Sequence, residues 1–136
     1  MAPPRKIAVP LRIVLADDQP FILRMVRQIL NEHAHLVVVG DAPNGAEAVV
    51  MVATLKPDVV VLNVVMPKMS GFEAARRIHA QSPGVAIVIL STDKDAQFIA
   101  AAKACGARGY VDKQNAAADL VHAINHTARG EDFFLE

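Results

Sequence analysis

The chain has 136 residues, enough for one compact domain with a full core. Hydrophobic residues make up 53%, charged residues 21% and aromatic residues 4%, a balance that suits a soluble α/β protein built on Val, Ile, Leu and Ala. Formal net charge is zero, so the basic footprint of a nucleic-acid binder is missing, and apolar runs such as 59–62 and 85–90 are far too short to cross a bilayer.

Residues 1–10 form a short Pro-rich tail with no long apolar stretch of the kind a signal peptide needs. Residues 11–16 read as a first strand. A helix follows from about Pro20, with Ile22, Met25, Val26, Ile29 and Leu30 on one face. Residues 36–39 read as a second strand. Asn44 and Glu47 have capping-box spacing and open a helix that stops before Pro57. Residues 59–62 are apolar on both faces, as a central parallel strand must be when helices cover both sides. A helix from Gly71 turns Phe72, Ala75 and Ile78 inward and Glu73, Arg76 and Arg77 outward. Residues 85–90 form a fourth strand, and the helix after it closes at Gly106, a left-handed C-cap. Residues 108–112 form a short fifth strand. The last helix buries Ala117, Leu120, Val121, Ile124 and Ala128 and ends at Gly130. Five βα units in a row imply a single doubly wound domain with right-handed crossovers.

In such sheets the functional groups collect beyond the carboxyl ends of the strands. The first strand is followed by Asp17 and Asp18, the third ends in Asn63, the fourth is followed by Ser91 and Thr92, and the fifth by Asp112 and Lys113. Two adjacent carboxylates repel each other and cover no core; their natural use is to hold a hard cation such as Mg²⁺ through oxygen ligands. A hydroxyl and a lysine facing the same crevice suit a phosphoryl group. Alone, Asp-Asp-Gln-Pro also reads as a loop and helix start, and Lys113 as a solvated surface lysine. Four strand ends agreeing in order is harder to obtain by chance.

The run Asp17-Asp18-Gln19-Pro20, the segment Asp58-Val59-Val60-Val61-Leu62-Asn63-Val64-Val65-Met66-Pro67-Lys68-Met69-Ser70-Gly71, Ser91, and Gly109-Tyr110-Val111-Asp112-Lys113 resemble the receiver domain of two-component response regulators. The resemblance spans about 11–130, and its details are similar to the LuxR/NarL type. It implies a CheY-like α/β domain, a five-stranded parallel sheet in the flavodoxin-like order 2-1-3-4-5. Residues 131–136 are then a C-terminal tail or the start of a linker to an effector domain absent from this chain. The resemblance also implies site roles. Asp18 would ligate Mg²⁺ directly, Asp17 mainly through water, and the Val65 carbonyl would add a further ligand. Ser91 and Lys113 would bind the phosphoryl group, and Tyr110 would be the aromatic switch coupled to Ser91. Val65 and Asp93 would line the approach of water. The implied partners are a sensor histidine kinase or phosphotransfer protein and a second copy of the chain. DNA would be reached only through the effector domain.

Two departures stand out. Lys113 is followed by Gln114 rather than the proline many receivers have, and a non-prolyl cis peptide there would cost about 2.5–4 kcal/mol. The larger departure is Asn63, at the position of the phosphoacceptor aspartate. A neutral amide oxygen is a far weaker nucleophile than a carboxylate, so the chain is expected not to accept phosphate. As a metal-site residue Asn63 could still touch a cation through its amide oxygen, but without a charge, so Mg²⁺ affinity is expected to fall. Asn63 fits either a natural pseudo-receiver or an engineered Asp→Asn that locks the unphosphorylated state. No enzymatic activity is expected.

Two other function classes compete. One is a phosphorylation-independent interaction or dimerisation module. The other is a dehalogenase-like phosphatase, for which the nucleophilic Asp is missing. Elsewhere, Cys105 excludes an internal disulfide, fits a reducing cytoplasm and reads as a small buried side chain near a helix end. The pairs His33/His35 and His122/His126 lack further ligands for a metal. Asn125-His126-Thr127 matches a glycosylation acceptor only by chance. Phe133 and Phe134 either start the linker, pack back on the last helix, or form an exposed apolar patch.

Overall fold

A computed structural model describes residues 10–134. Most of the expected N-terminal tail and the last two residues lie outside the described residues. Strands and helices alternate as β1 (Leu11–Ala16), α1 (Pro20–Asn31), β2 (Leu36–Ala42), α2 (Gly45–Leu55), β3 (Val59–Asn63), α3 (Gly71–Gln81), β4 (Ala86–Ser91), α4 (Ala96–Ala104), β5 (Gly109–Asp112) and α5 (Ala116–Ala128). The five strands are parallel and ordered β2-β1-β3-β4-β5, as expected. The chain therefore reverses its direction of winding between β1 and β3, and a crevice opens there beyond the strand ends.

Strand periodicity divides the core into two layers. Val14, Val60, Leu62, Ile87, Ile89 and Tyr110 face α2, α3 and α4. Ile13, Leu15, Val59, Val61, Val88 and Val111 face α1 and α5. Every residue of β3 and β4 is buried, which explains their unbroken apolar reading. Each fully buried Val, Ile or Leu contributes about 1.5–3 kcal/mol, so these central strands are the stiff floor on which the site rests.

Four details differ from expectation. β4 runs Ala86–Ser91 rather than 85–90, so Ser91 ends the strand instead of following it. β2 runs on through Gly40, Asp41 and Ala42, after a register shift opposite Ile13 and Val14 that lets this edge strand follow β1 to its end. β5 begins at Gly109 rather than at 108. Ala117 is exposed, and the buried face of α5 is Ala116, Leu120, Ala123, Ile124, Thr127 and Ala128, with Val121 half-buried. A single 3-10 turn, Lys113–Asn115, joins β5 to α5.

Local signals at the helix ends hold. Asn44 caps α2, its Oδ1 accepting from the Glu47 N–H at 2.9 Å while its Nδ2 donates to the Glu47 carboxylate at 2.8 Å. Gly106 closes α4 with φ of 95°. Gly71 is required for a different reason: a Cβ there would lie 2.0 Å from the Asn63 carbonyl oxygen. Phe133 lies beside β5, its N–H donating to the Arg108 carbonyl and its carbonyl accepting from the Tyr110 N–H, both at 2.8 Å. Phe134 lies under the Lys103 ammonium, 4.7 Å from its ring centre. The two aromatic rings are thus half-buried on the domain rather than forming a patch.

Candidate functional site

The ends of β1, β3, β4 and β5 surround a crevice of about 360 Å³ lined by Asp18, Gln19, Asn63, Val64, Val65, Ser91, Thr92, Asp93, Phe98 and Lys113. Asp17 lies beneath it. Of the residues singled out from the sequence, Asp18, Asn63, Val65, Ser91, Thr92, Asp93 and Lys113 line the crevice. Asp17 reaches it only through Lys113, Asp112 turns to Lys94, and Tyr110 is buried in the core.

On the β1 side, Asp17 is buried and Asp18 is exposed. The Asp17 Oδ1 accepts from the Gln19 N–H at 2.9 Å. Its Oδ2 is 3.1 Å from the Lys113 ammonium, an ion pair, but no well-directed hydrogen bond reaches that oxygen. Burial pushes the Asp17 carboxyl above its ordinary range, and the neighbouring Asp18 charge adds to this. The Gln19 N–H and Lys113 oppose the shift without cancelling it.

Asn63 ends β3 and is buried. Its Nδ2 donates to the Val65 carbonyl at 2.8 Å and points to Asp18 Oδ1 at 3.5 Å, the outer limit of a hydrogen bond. Acceptors on both sides require the NH₂ here rather than the amide oxygen. Val65 lines the crevice and is 77% exposed. Gly71 secures this segment from below: its N–H donates to the Val64 carbonyl at 2.8 Å.

On the β4–β5 side, the Ser91 Oγ accepts from the Asp93 N–H at 3.1 Å. Tyr110 is fully buried, and its hydroxyl donates to the Asp93 carbonyl at 2.6 Å. Burial is the main cause of an upward shift of its phenol pKa. Asp112, also buried, forms an ion pair with the Lys94 ammonium at 2.9 Å, though, as at Asp17, no well-directed hydrogen bond reaches that Oδ2, and it caps the 3-10 turn by accepting from the Gln114 N–H at 3.0 Å. The ammonium and that N–H hold its carboxyl below the ordinary range despite burial. Sequence reading missed Lys94 altogether and named Asp112 only as the neighbour of Lys113. The sole hint was a carboxylate in a strand that is otherwise fully apolar.

A cation would find the Asp18 carboxylate, the Val65 carbonyl and the incompletely satisfied Asp17 Oδ2 in one place, a donor set that fits a hard ion. The Asn63 NH₂ stands among these oxygens. Among the described residues, no group of three or more His, Cys, Asp and Glu side chains is placed to hold a metal. His126 instead faces Glu131 at 3.4 Å, and the His35 ring meets Asn125 Oδ1 at 2.9 Å. No helix among the described residues is long and apolar enough to cross a membrane. Cys105 is buried at the C-terminal end of α4.

This sheet, with acids, hydroxyl and lysine gathered at its carboxyl edge, defines a CheY-like domain. The chain belongs to the response regulator receiver domain family, whose model matches residues 13–125. It is 36% identical to the transcriptional regulatory protein YxjL of Bacillus subtilis over 91% of the chain and 57% of that protein. To the nitrate/nitrite response regulator NarL of Escherichia coli it is 32% identical, over 90% of the chain and 56% of that protein. The chain thus spans a little over half of these curated relatives. Among solved structures, a LuxR-family two-component response regulator from Aurantimonas superposes with a TM-score of 0.87 at 31% identity, covering 90% of this chain and 88% of that one. The NarL receiver domain of Mycobacterium tuberculosis gives 0.86 at 27% identity, covering 91% and 100%.

Proposed function

We propose that this receiver does not accept phosphate and that the Asn63 amide stands in for the cation on which phosphorylation depends. The observation that carries the reading is the double contact of the Asn63 Nδ2, at 2.8 Å from the Val65 carbonyl and 3.5 Å from the Asp18 carboxylate. Those are the two groups the family resemblance assigns to direct metal ligation. An NH₂ donates to the oxygens a Mg²⁺ ion would collect, and it carries no charge to strengthen their hold on an ion. A carboxylate at position 63 would give the site a third negative oxygen donor and a nucleophile; the amide gives neither.

The rest of the pocket fits the same reading. When a cation is bound, it would supply positive charge to neutralise an incoming phosphoryl group; Asp17, Asp18 and the Val65 carbonyl would hold it, more weakly than with a carboxylate at 63. Lys113 lines the crevice and is paired with Asp17 at 3.1 Å, and its remaining N–H groups would face an incoming phosphoryl group. Ser91 would hydrogen-bond phosphoryl oxygens through its O–H, its Oγ already accepting from the Asp93 N–H. In the full-length protein this module would meet a sensor kinase or phosphotransfer protein. Its output would pass to an effector domain such as the DNA-binding part of a transcriptional regulator, or to a second copy of itself. It would work in the cytoplasm and catalyse no reaction of its own.

The test is intact-mass analysis after incubation with Mg²⁺ and a small acyl phosphodonor, run on this chain and on Asn63→Asp. The chain should stay unmodified, and Asn63→Asp should gain one phosphoryl group that hydroxylamine removes. Labelling of the chain itself at the site, or a folded Asn63→Asp that takes up nothing, would overturn the proposal.

A further inference from the structure

The loop between β4 and α4 is joined to β5 by two polar contacts among the described residues. One is the Tyr110 hydroxyl donating to the Asp93 carbonyl at 2.6 Å. The other is the Lys94–Asp112 ion pair at 2.9 Å. We propose that the Lys94–Asp112 pair is a latch that clamps this loop onto β5 and so keeps Tyr110 buried with no phosphate in the crevice.

The geometry supports the latch in three ways. Asp93 and Lys94 are adjacent, so fixing the Lys94 ammonium on β5 fixes the carbonyl that receives the tyrosine hydroxyl. Tyr110 and Asp112 are two apart on one short strand, so both anchors lie on the same four-residue element. The two ends of the pair also differ. Asp112 is 1% exposed and is set by the Gln114 N–H, whereas the Lys94 side chain is 58% exposed and depends on its partner for position. A rigid acceptor holding a mobile donor orders the loop, not the strand. Ser91 braces the other end of the loop through the Asp93 N–H at 3.1 Å. With the pair intact, outward rotation of Tyr110 requires the loop to leave β5 against a charge contact. Without it, the tyrosine hydroxyl is the one polar tie left. The latch does not depend on whether position 63 is an acceptor site.

The chain is well suited to the test, because Tyr110 is its single tyrosine and it has no tryptophan. Intrinsic fluorescence therefore reports on this one side chain. Acrylamide quenching would be measured on the full chain and on Lys94→Met, Asp112→Asn, the double variant and Lys94→Arg, with circular dichroism confirming the fold. Lys94→Met and Asp112→Asn should each raise the quenching constant about threefold by freeing the loop to open locally. The double variant should exceed neither, and Lys94→Arg should match the parent. Asparagine keeps the oxygen that accepts from Gln114, and Lys94 is exposed enough to be replaced without harming the core. Should Asp112→Asn not fold, Lys94→Met and Lys94→Arg still decide. Unchanged quenching in Lys94→Met, or equal exposure in Lys94→Arg and Lys94→Met, would overturn the latch.

Discussion

Two buried aspartates at the same sheet edge, each facing a lysine, are held in opposite ways. Asp17 at the end of β1 is 3.1 Å from Lys113, and its pKa is raised. Asp112 at the end of β5 is 2.9 Å from Lys94, and its pKa is lowered. Distance to the lysine does not separate them. Asp17 has Asp18 beside it and loses more to burial than Gln19 and Lys113 return. Asp112 has no adjacent acid, and its ammonium and backbone donor outweigh burial. Ionisation is therefore less favourable than usual on the β1 side, where a cation would relieve it, while on the β5 side the carboxylate is already paired. Asn63 lies between the two, adding donors to the β1 side without adding charge.

Breaking the floor under this arrangement should have the largest effect. Gly71→Ala forces a methyl group against the Asn63 backbone, so β3 and the segment bearing the Val65 carbonyl must shift. A loss of about 3 kcal/mol in urea unfolding is expected, the upper end for overpacking. Removing the β5 carboxylate comes next. Asp112→Ala leaves Lys94 unpaired and the Gln114 N–H without its acceptor, and should cost about 2 kcal/mol by the same measurement. Asn63→Asp sharpens the contrast instead. A third carboxylate in metal-free buffer adds repulsion on the β1 side, and apo stability should fall by about 1 kcal/mol.

The smallest effects are the most diagnostic, because their signs differ. A carboxyl with a lowered folded pKa contributes stability that is present above the ordinary value of 3.8 and lost as pH falls through the folded value. Asp112→Asn should therefore flatten the stability profile below about pH 4. A raised pKa does the reverse. Across the window from 3.8 up to its folded value, Asp17 binds more proton in the native state, so stability drops as pH rises and stays reduced above that window. Asp17→Asn should flatten the profile just above 3.8 and raise the melting temperature at neutral pH in metal-free buffer. Two Asp→Asn variants that flattened the same limb would contradict the contrast.

Much of this edge was legible in the sequence because strand ends are local. Alternating βα patterns placed Asp17, Asp18, Asn63, Ser91 and Lys113 at successive strand ends, and a doubly wound sheet brings such ends together. Non-local pairings were not legible. Lys94 and Asp112 are 18 residues apart on different elements, and nothing near either one predicts the other. The direction of the Asn63 amide was also out of reach, since it depends on a carbonyl two residues on and a carboxylate in the loop after β1. On α5 the spacing placed Leu120, Ile124 and Ala128 in the core, and only Ala117 falls on the exposed face.

The claim that the Asn63 amide occupies the ligands of a cation is tested most directly by calorimetric titration of Mg²⁺ into the chain and into Asn63→Asp. A gain of one carboxylate and loss of one competing donor should tighten binding at least about tenfold in Asn63→Asp, a difference of about 1.4 kcal/mol. Equal Mg²⁺ affinity in the two proteins would contradict it.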